Sequence, residues 1–391
     1  MHVLYGVVGE GMGHATRSRV VIEHLLDAGH EVRVVVSGRA HAFLTKALAD
    51  RKRINLHEIH GFHLDFAGSH LDLPKTVWTN LKEAPAGLAK NLGVLRDVAE
   101  EGRRPDVVVS DFESWAYFYG RSHDVPVLSI DNMQILNRCK LDRSATAFGS
   151  LDFRLAKAAV KSKLPGAYHY LVTTFFCPPV RKPRTTLVPP ILRAAILDAK
   201  REPGSHVLVY QTAAGTADLL VPMLRSLPGE FRVYGLGREG VEGNVTLKAF
   251  SEQGFVDDLR TARAVFANGG LSLMAEAVHL HVPMLSLPLQ GQFEQELNAR
   301  YLSHLGFGMM SRELDRGAME TFLAHTDSYA HALQAWVPHD NEMLFGCVDE
   351  VLRAVANGEP PPSRLASPAL GKFGEVPDVA DDDDDFTVPP R

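Results

Sequence analysis

Two groups of side chains in this chain have the types and spacing to do chemistry: one suits proton transfer, the other suits holding phosphate and sugar hydroxyls. The first is His14 with the carboxylates Asp111 and Glu113. His14 lies in Gly9-Glu10-Gly11-Met12-Gly13-His14-Ala15-Thr16-Arg17-Ser18, directly after the apolar run Val3 to Val8. Imidazole is the side chain that exchanges protons near neutral pH, so a His in a flexible loop at a strand end is a candidate general base. Asp111 and Glu113 follow the apolar run Val107 to Val109. Asp111 suits two compatible roles, orienting an imidazolium or capping a helix that begins near Ser114, and Glu113 can serve as the base instead. Arg17, one turn after His14, steadies a phosphate or the His loop, or forms a surface salt bridge.

The second group spans residues 264–308. A short strand, Ala264 to Ala267, runs through Asn268 into Gly269-Gly270 and then a helix beginning Leu271-Ser272. Such a turn presents unpaired backbone N–H groups and the positive end of a helix dipole, a setting for a phosphate or diphosphate. Glu276, one turn into the helix, reaches the two hydroxyls of a ribose whose phosphates sit at the helix start. A further strand, Pro283 to Leu287, leads into a loop with Gln290, Gln292, Glu294, Gln295 and Glu296, a surface that hydrogen-bonds hydroxyl-rich ligands. Asn298 opens or continues the next helix, which stops at Gly306 and Gly308.

These groups need a scaffold that presents strand ends side by side. Strand Val3 to Val8, a helix to about Gly29 and strand Val32 to Val36 form one βαβ unit, so a doubly wound parallel α/β sheet is expected. The glycines read G-x-G-x-G-H, and Ser37-Gly38-Arg39 stands where a dinucleotide site needs an acid, which excludes a dehydrogenase. With 391 residues there is room for two domains. The expected division is residues 1–172 for the domain that carries His14, 173–203 for a Pro-rich linker and 204–338 for the domain that carries the Gly269-Gly270 turn. A further helix is expected over 339–357, and an acidic, disordered tail over 358–391. In the second domain, Thr212 opens a small-residue turn that approaches the diphosphate from the other side.

Composition narrows the class. Charge of 23% and hydrophobic content of 45% are ordinary for a soluble globular protein, and a net charge of -6 offers nucleic acid no general attraction. The three cysteines are widely spaced and form no metal pattern, which fits a reduced cytoplasmic compartment. His60, His63 and His70 likewise lack metal-ligand spacing, so no metal or other cofactor is expected. The first apolar run stops at Glu10 and reads as a strand, and no run of 18 apolar residues exists to span a membrane. Residues 134–170 carry seven Lys and Arg side chains among apolar ones: a solvated face is the expectation, and peripheral membrane contact stays open.

Gly269-Gly270, Glu276 six residues on, a Pro-ended strand and then E-Q-x-x-N-A resemble the donor site of GT-B-fold glycosyltransferases, in the branch related to the peptidoglycan GlcNAc transferase and the UDP-glycosyltransferases. The G-x-G-H-x-x-R segment at 11–17 and S-D-F-E at 110–113 are similar to the same family. The resemblance implies two Rossmann-like domains facing a cleft, covering residues 1 to about 356: an acceptor-binding domain over 1–172, a nucleotide-sugar-binding domain over 204–338, and a helix over 339–357 that crosses back to the first. It implies that Gly270, Leu271 and Ser272 face a diphosphate, Glu276 a ribose, and Gln292, Glu294 and Gln295 the sugar. Gly11 and Gly13 join the donor site, the His14 side faces the acceptor, and the loop at Phe250 holds the base. Asn268 stands where many relatives carry His, a departure that weakens transfer of its phosphate-contacting role. The expected reaction is transfer from an NDP-sugar, UDP-linked, to an acceptor hydroxyl, with inversion and without a metal. Two other readings remain open: a non-hydrolysing UDP-GlcNAc 2-epimerase and a non-catalytic nucleotide-sugar sensor.

Overall fold

The structure, a computed structural model, describes residues 1–9, 12–61, 66–67, 70–71, 73–143, 146, 150–211 and 217–366. The first half runs β1 (His2–Val7), α1 (Met12–Asp27), β2 (Glu31–Ser37), α2 (Gly38–Ala47) and β3 (Ile54–Ile59). A two-residue pair, β4 (Phe66–Ala67) and β5 (His70–Leu71), precedes the long α3 (Leu73–Glu100). Then come β6 (Val107–Asp111), α4 (Ser114–Ser122), β7 (Val127–Asp131), α5 (Ile135–Arg138), α6 (Leu151–Lys163), β8 (His169–Thr173) and β9 (Thr185–Val188). The second half holds α7 (Ala194–Leu197), β10 (Val207–Tyr210), α8 (Ala217–Arg225), β11 (Phe231–Tyr234), β12 (Gly240–Glu242), β13 (Val245–Lys248) and α9 (Glu252–Thr261). It continues through β14 (Ala264–Ala267), α10 (Leu271–His279), β15 (Met284–Ser286), α11 (Phe293–His304) and β16 (Gly308–Met310) to α12 (Arg316–Ala324), α13 (Thr326–Leu333) and α14 (Glu342–Ala356).

The first sheet is parallel throughout, in the order β3-β2-β1-β6-β7-β8-β9. The second, β12-β13-β11-β10-β14-β15-β16, is parallel except for the edge strand β12. In each sheet the strand order reverses once, between β1 and β6 and between β10 and β14. Open α/β sheets bind ligands in the crevice outside the strand ends at such reversals. The register sets Val7 beside Asp111 and Tyr210 beside Ala267, so the His14 turn adjoins Asp111 and the Gly269-Gly270 turn leaves the other reversal point.

Both faces of each sheet are covered, which is why the strands read as continuous apolar runs. Val3, Tyr5 and Val7 pack on one face with α1, α2 and α14, while Leu4 and Val108 point to the other with α3 and α4. The second core region runs on without a break from Phe175 and Phe176 to Leu297 and Tyr301, so apolar packing bridges the two sheets. Tyr301 stacks on Phe176 at 3.7 Å between ring centroids.

Several elements differ from the sequence expectation. β9 and α7 lie inside the Pro-rich stretch, and β9 pairs with β8 as the last strand of the first sheet. Gly308 is not a helix stop but the first residue of β16: a Cβ there would meet Met284 O at 2.0 Å, so only glycine lets β16 close on β15. α14 does pack on the first sheet, with His24 of α1 stacked on Phe345 and its Nε2 2.8 Å from Asp349. The chain past α14 is tied down as far as residue 366, through Tyr168 Oη donating to Glu359 O (2.9 Å) and Arg184 N to Ser363 O (2.8 Å). The acidic run at 381–385 lies outside the described residues. Among the described residues, no helix is long and apolar enough to cross a membrane.

Candidate active site

On the first-sheet side, His14 is in the first turn of α1 and not in a loop; the helix begins at Met12. His14, Arg17 and Ser18 are three and four residues apart and share one helix face, which is turned to the end of β6. Three groups converge on the buried Asp111. His14 Nδ1 lies 3.0 Å from Oδ1, while Arg17 Nε and Ser18 Oγ donate to Oδ2 at 2.9 and 2.8 Å. Arg17 Nη2 also donates to Oδ1, completing a fork, and sits 2.8 Å from His14 Nδ1. Burial raises the Asp111 carboxyl, but the charges of Arg17 and His14 outweigh it and hold Asp111 well below the usual carboxylate range. Arg17 is thus no surface ion pair; it is 6% exposed and is the counter-charge of Asp111.

Glu113, not Asp111, caps α4. Its two carboxylate oxygens accept from Trp115 N (2.8 Å) and Ala116 N (2.7 Å), and Phe112 before it adopts a left-handed φ of 54° to make the sharp strand-to-helix turn. Both Glu113 oxygens are therefore engaged within the helix start, and Glu113 is not among the residues that line the cleft. Asp131, at the end of β7, is buried with Ser129 Oγ (2.6 Å) and Gln134 N (2.9 Å) as donors, and burial pushes its carboxyl up to about 6.

On the second-sheet side, α10 begins at Leu271 with Gly270 as its N-cap and no side-chain cap bond, leaving its first N–H groups open to a ligand. A Cβ on Gly270 would meet nothing within 4 Å, whereas one on Gly269 would meet Gln295 O at 2.3 Å. Gln295 Oε1 accepts from Gly269 N (3.1 Å) and Leu289 N (3.0 Å), and Asn298 Nδ2 donates to Gly269 O (3.1 Å). Gln295 and Asn298 thus hold the Gly-Gly turn against α11, a structural role beyond the ligand contact expected of Gln295. Gly269→Ala is expected to cost about 1–3 kcal/mol through this overpacking and to lower the melting temperature. An unchanged melting temperature would show that α11 yields to the added methyl.

The two halves meet at Ser272 Oγ, which donates to Gly13 O (3.3 Å). Between them lies a cleft of about 280 Å³, and His14, Arg17, Phe250, Asn268, Gly270, Leu271, Ser272, Glu276, Gln292, Glu294 and Gln295 all line it together with Gly13. Asp111 stands behind His14 and Gly269 behind Gly270. Gly11 and Thr212, also expected here, lie outside the described residues. Phe250 is exposed and tilted against Phe255, with ring centroids 5.7 Å apart. Tyr210 and Arg193 also line it, and neither was legible in the sequence. Arg193 sits in the Pro-rich stretch with no motif around it, and its partner Glu276 is 83 residues away.

Residues 1–326 match the model of a family described as glycosyl transferase family 1. An uncharacterized glycosyltransferase of Methanosarcina acetivorans is 27% identical over 352 residues, covering 79% of this chain and 85% of that protein. One from Methanosarcina mazei is 25% identical over 337 residues, with the same coverage. Among solved structures, the spinosyn rhamnosyltransferase SpnG superposes with a TM-score of 0.59 at 20% identity, over 88% of this chain and 99% of that one. Phytolacca americana UGT2, complexed with UDP-2-fluoro-glucose and pterostilbene, gives 0.60 at 14% identity, over 91% and 99%. These likenesses, with the two sheets, establish the GT-B fold.

Proposed function

We propose, from the premise that this chain belongs to glycosyl transferase family 1, that it moves a sugar from a UDP-linked donor to an acceptor hydroxyl with inversion. One observation carries this reading: the His14–Asp111 pair and the uncapped start of α10 with Glu276 face each other across a single cleft. Nδ1 of His14 has one role at a time, as donor to Asp111 or acceptor from Arg17. The ionised Asp111 carboxylate is the stronger partner, so the proton is assigned to Nδ1 and the lone pair to Nε2.

In this reading Nε2 takes the acceptor O–H proton while the oxygen attacks the anomeric carbon. The bond from that carbon to the diphosphate oxygen breaks on the opposite face, and its electron pair stays on the phosphate. Asp111 stabilises the imidazolium that forms. Charge on the leaving diphosphate is met by the N–H groups of Leu271 and Ser272, fixed in place before reaction at the uncapped, positive end of α10, with no metal required. Glu276 accepts from the ribose hydroxyls, and Gln292 and Glu294 hold the sugar.

The first test is thermal melting against UDP-, dTDP- and GDP-sugars. A donor at ~100 Kd adds about 2.7 kcal/mol of stability, and the shift is expected for a UDP-sugar in the wild type and to be smaller at the same donor concentration in Glu276→Gln, which keeps one acceptor oxygen for the ribose. No shift with any nucleotide sugar sinks the donor assignment. Donor turnover without an acceptor would favour epimerisation over transfer.

A further inference from the structure

Arg193 belongs to the segment between β9 and β10, the chain that joins the two sheets, yet its guanidinium reaches into the cleft wall. Nε donates to Glu276 Oε1 and Nη2 to Oε2, each at 2.8 Å, a two-pronged pair in which both partners are largely buried. Nη1 reaches Glu252 Oε1 at 3.2 Å, and the guanidinium carbon lies 5.9 Å from the centre of the Phe255 ring. These contacts fix the guanidinium on three sides.

An ionised carboxylate has about four lone-pair sites, and the fork occupies one on each oxygen. Glu276 therefore keeps one acceptor site per oxygen, the number that a pair of vicinal hydroxyls needs. Ionisation is the condition for this, because a protonated carboxyl turns one oxygen into a donor. Burial pushes the Glu276 carboxyl up, and Arg193 opposes it. Among the described residues, the other charged or titratable groups set against Glu276 are Glu252 of α9, which also pushes it up, and Tyr210 of β10. Of these groups Arg193 is the cation.

We propose that Arg193 is a positioning residue for the donor: its fork keeps Glu276 as an oriented pair of acceptors for the ribose diol and ties donor affinity to the segment joining the sheets. This rests on the donor-site reading above. Its consequence is specific. Removing the charge but not the polarity at Arg193 makes donor binding depend on pH, because the buried carboxyl takes up a proton that must leave before the diol can bind.

The experiment is calorimetric titration of UDP into wild type, Arg193→Lys, Arg193→Gln and the double variant Arg193→Gln/Glu276→Gln, from about pH 5.5 to about pH 8.5, the range over which a raised buried carboxyl titrates. Thermal melts establish that each variant is folded. Affinities are compared as ratios to wild type at each pH, so that titration of other cleft groups cancels. For Arg193→Gln the loss is expected to grow toward acid pH, by up to about tenfold per pH unit. Arg193→Lys, which keeps the charge but not the fork, shows a smaller loss that is constant with pH. In the double variant the pH dependence disappears, because no carboxyl remains to titrate. UDP binding by wild type with an Arg193→Gln ratio that is flat in pH overturns the role of Arg193 and leaves the donor site standing. A pH dependence that persists in the double variant also overturns it. Failure of wild type to bind UDP removes the donor site itself, and this proposal with it.

Discussion

His14→Gln is expected to lower kcat for sugar transfer by about 10²- to 10⁴-fold, the usual contribution of a positioned general base. Gln fills similar space in the first turn of α1 and keeps a donor toward Asp111, so the Arg17–Asp111 fork, which involves no His14 atom, has no reason to move. The variant loses only the group that accepts the hydroxyl proton as attack begins. The loss should therefore fall on kcat and kcat/KM together, the mark of an interaction made in the transition state. Initial rates with a saturating UDP-sugar, beside the donor-induced melting shift, measure both parts. A loss of less than about fivefold would remove His14 as the base. Glu113 would not replace it, because both of its oxygens are committed to the start of α4.

Asp111→Asn is expected to cost about 3–5 kcal/mol of stability, the range for breaking one side of a buried ion pair, because Arg17 is left buried without its counter-charge. Arg17 is held strongly in its charged form and has no escape through deprotonation. The dependence on pH carries a definite sign. Asp111 is more acidic in the folded chain than in the unfolded one, so its stabilisation is fully present above the unfolded value of about 3.9 and is lost as pH falls through the folded value. The gap between wild type and variant in denaturant titrations should therefore be constant at neutral pH and close below about pH 4. Asp131 contributes with the opposite sign. Its carboxyl is raised to about 6, so its protonated form favours the native state at low pH, and that contribution is lost as pH rises through about 6. The charge of Asp111 is one of the causes that raise Asp131, so the gap is read below about pH 4, where Asp131 is protonated in both folded chains. A gap that widens toward acid pH would show that Asp111 is not the carboxylate paired with Arg17.

The second-sheet side of the cleft was legible because its signals are local. Gly269-Gly270 before an apolar helix, Glu276 one turn on, and the polar run to Gln295 lie within 27 residues of chain, and the strand–turn–helix unit that orders them is set by backbone sterics and side-chain period. Even so, Gln295 was read as a sugar contact when its carboxamide oxygen also holds the Gly-Gly turn. The reading was poorer in the first half. The glycine-rich run after β1 reads as a strand-end loop, with a helix-start position for His14 as the alternative; α1 begins at Met12 and puts His14 in its first turn. The helix cap went to Asp111 as one of its two roles; which of two nearby carboxylates caps depends on the backbone turn at Phe112, and its left-handed φ of 54° carries no residue-type signal.

By itself the sequence determined the parallel α/β class, the two βαβ-built halves, the identity of His14 as a cleft histidine and the glycine turn before α10. All of these follow from apolar runs, glycine placement and helix-start chemistry within short windows, where chain connectivity already constrains the neighbours. Only the tertiary structure decided that Asp111 answers to Arg17 and His14, that Glu276 is forked by Arg193, and that Gly308 opens an edge strand. The first two pairings join residues 97 and 83 positions apart. At such separations no periodicity links the partners. What brings them together is the reversal of strand order in each sheet and the burial that makes an unpaired charge too costly to leave alone.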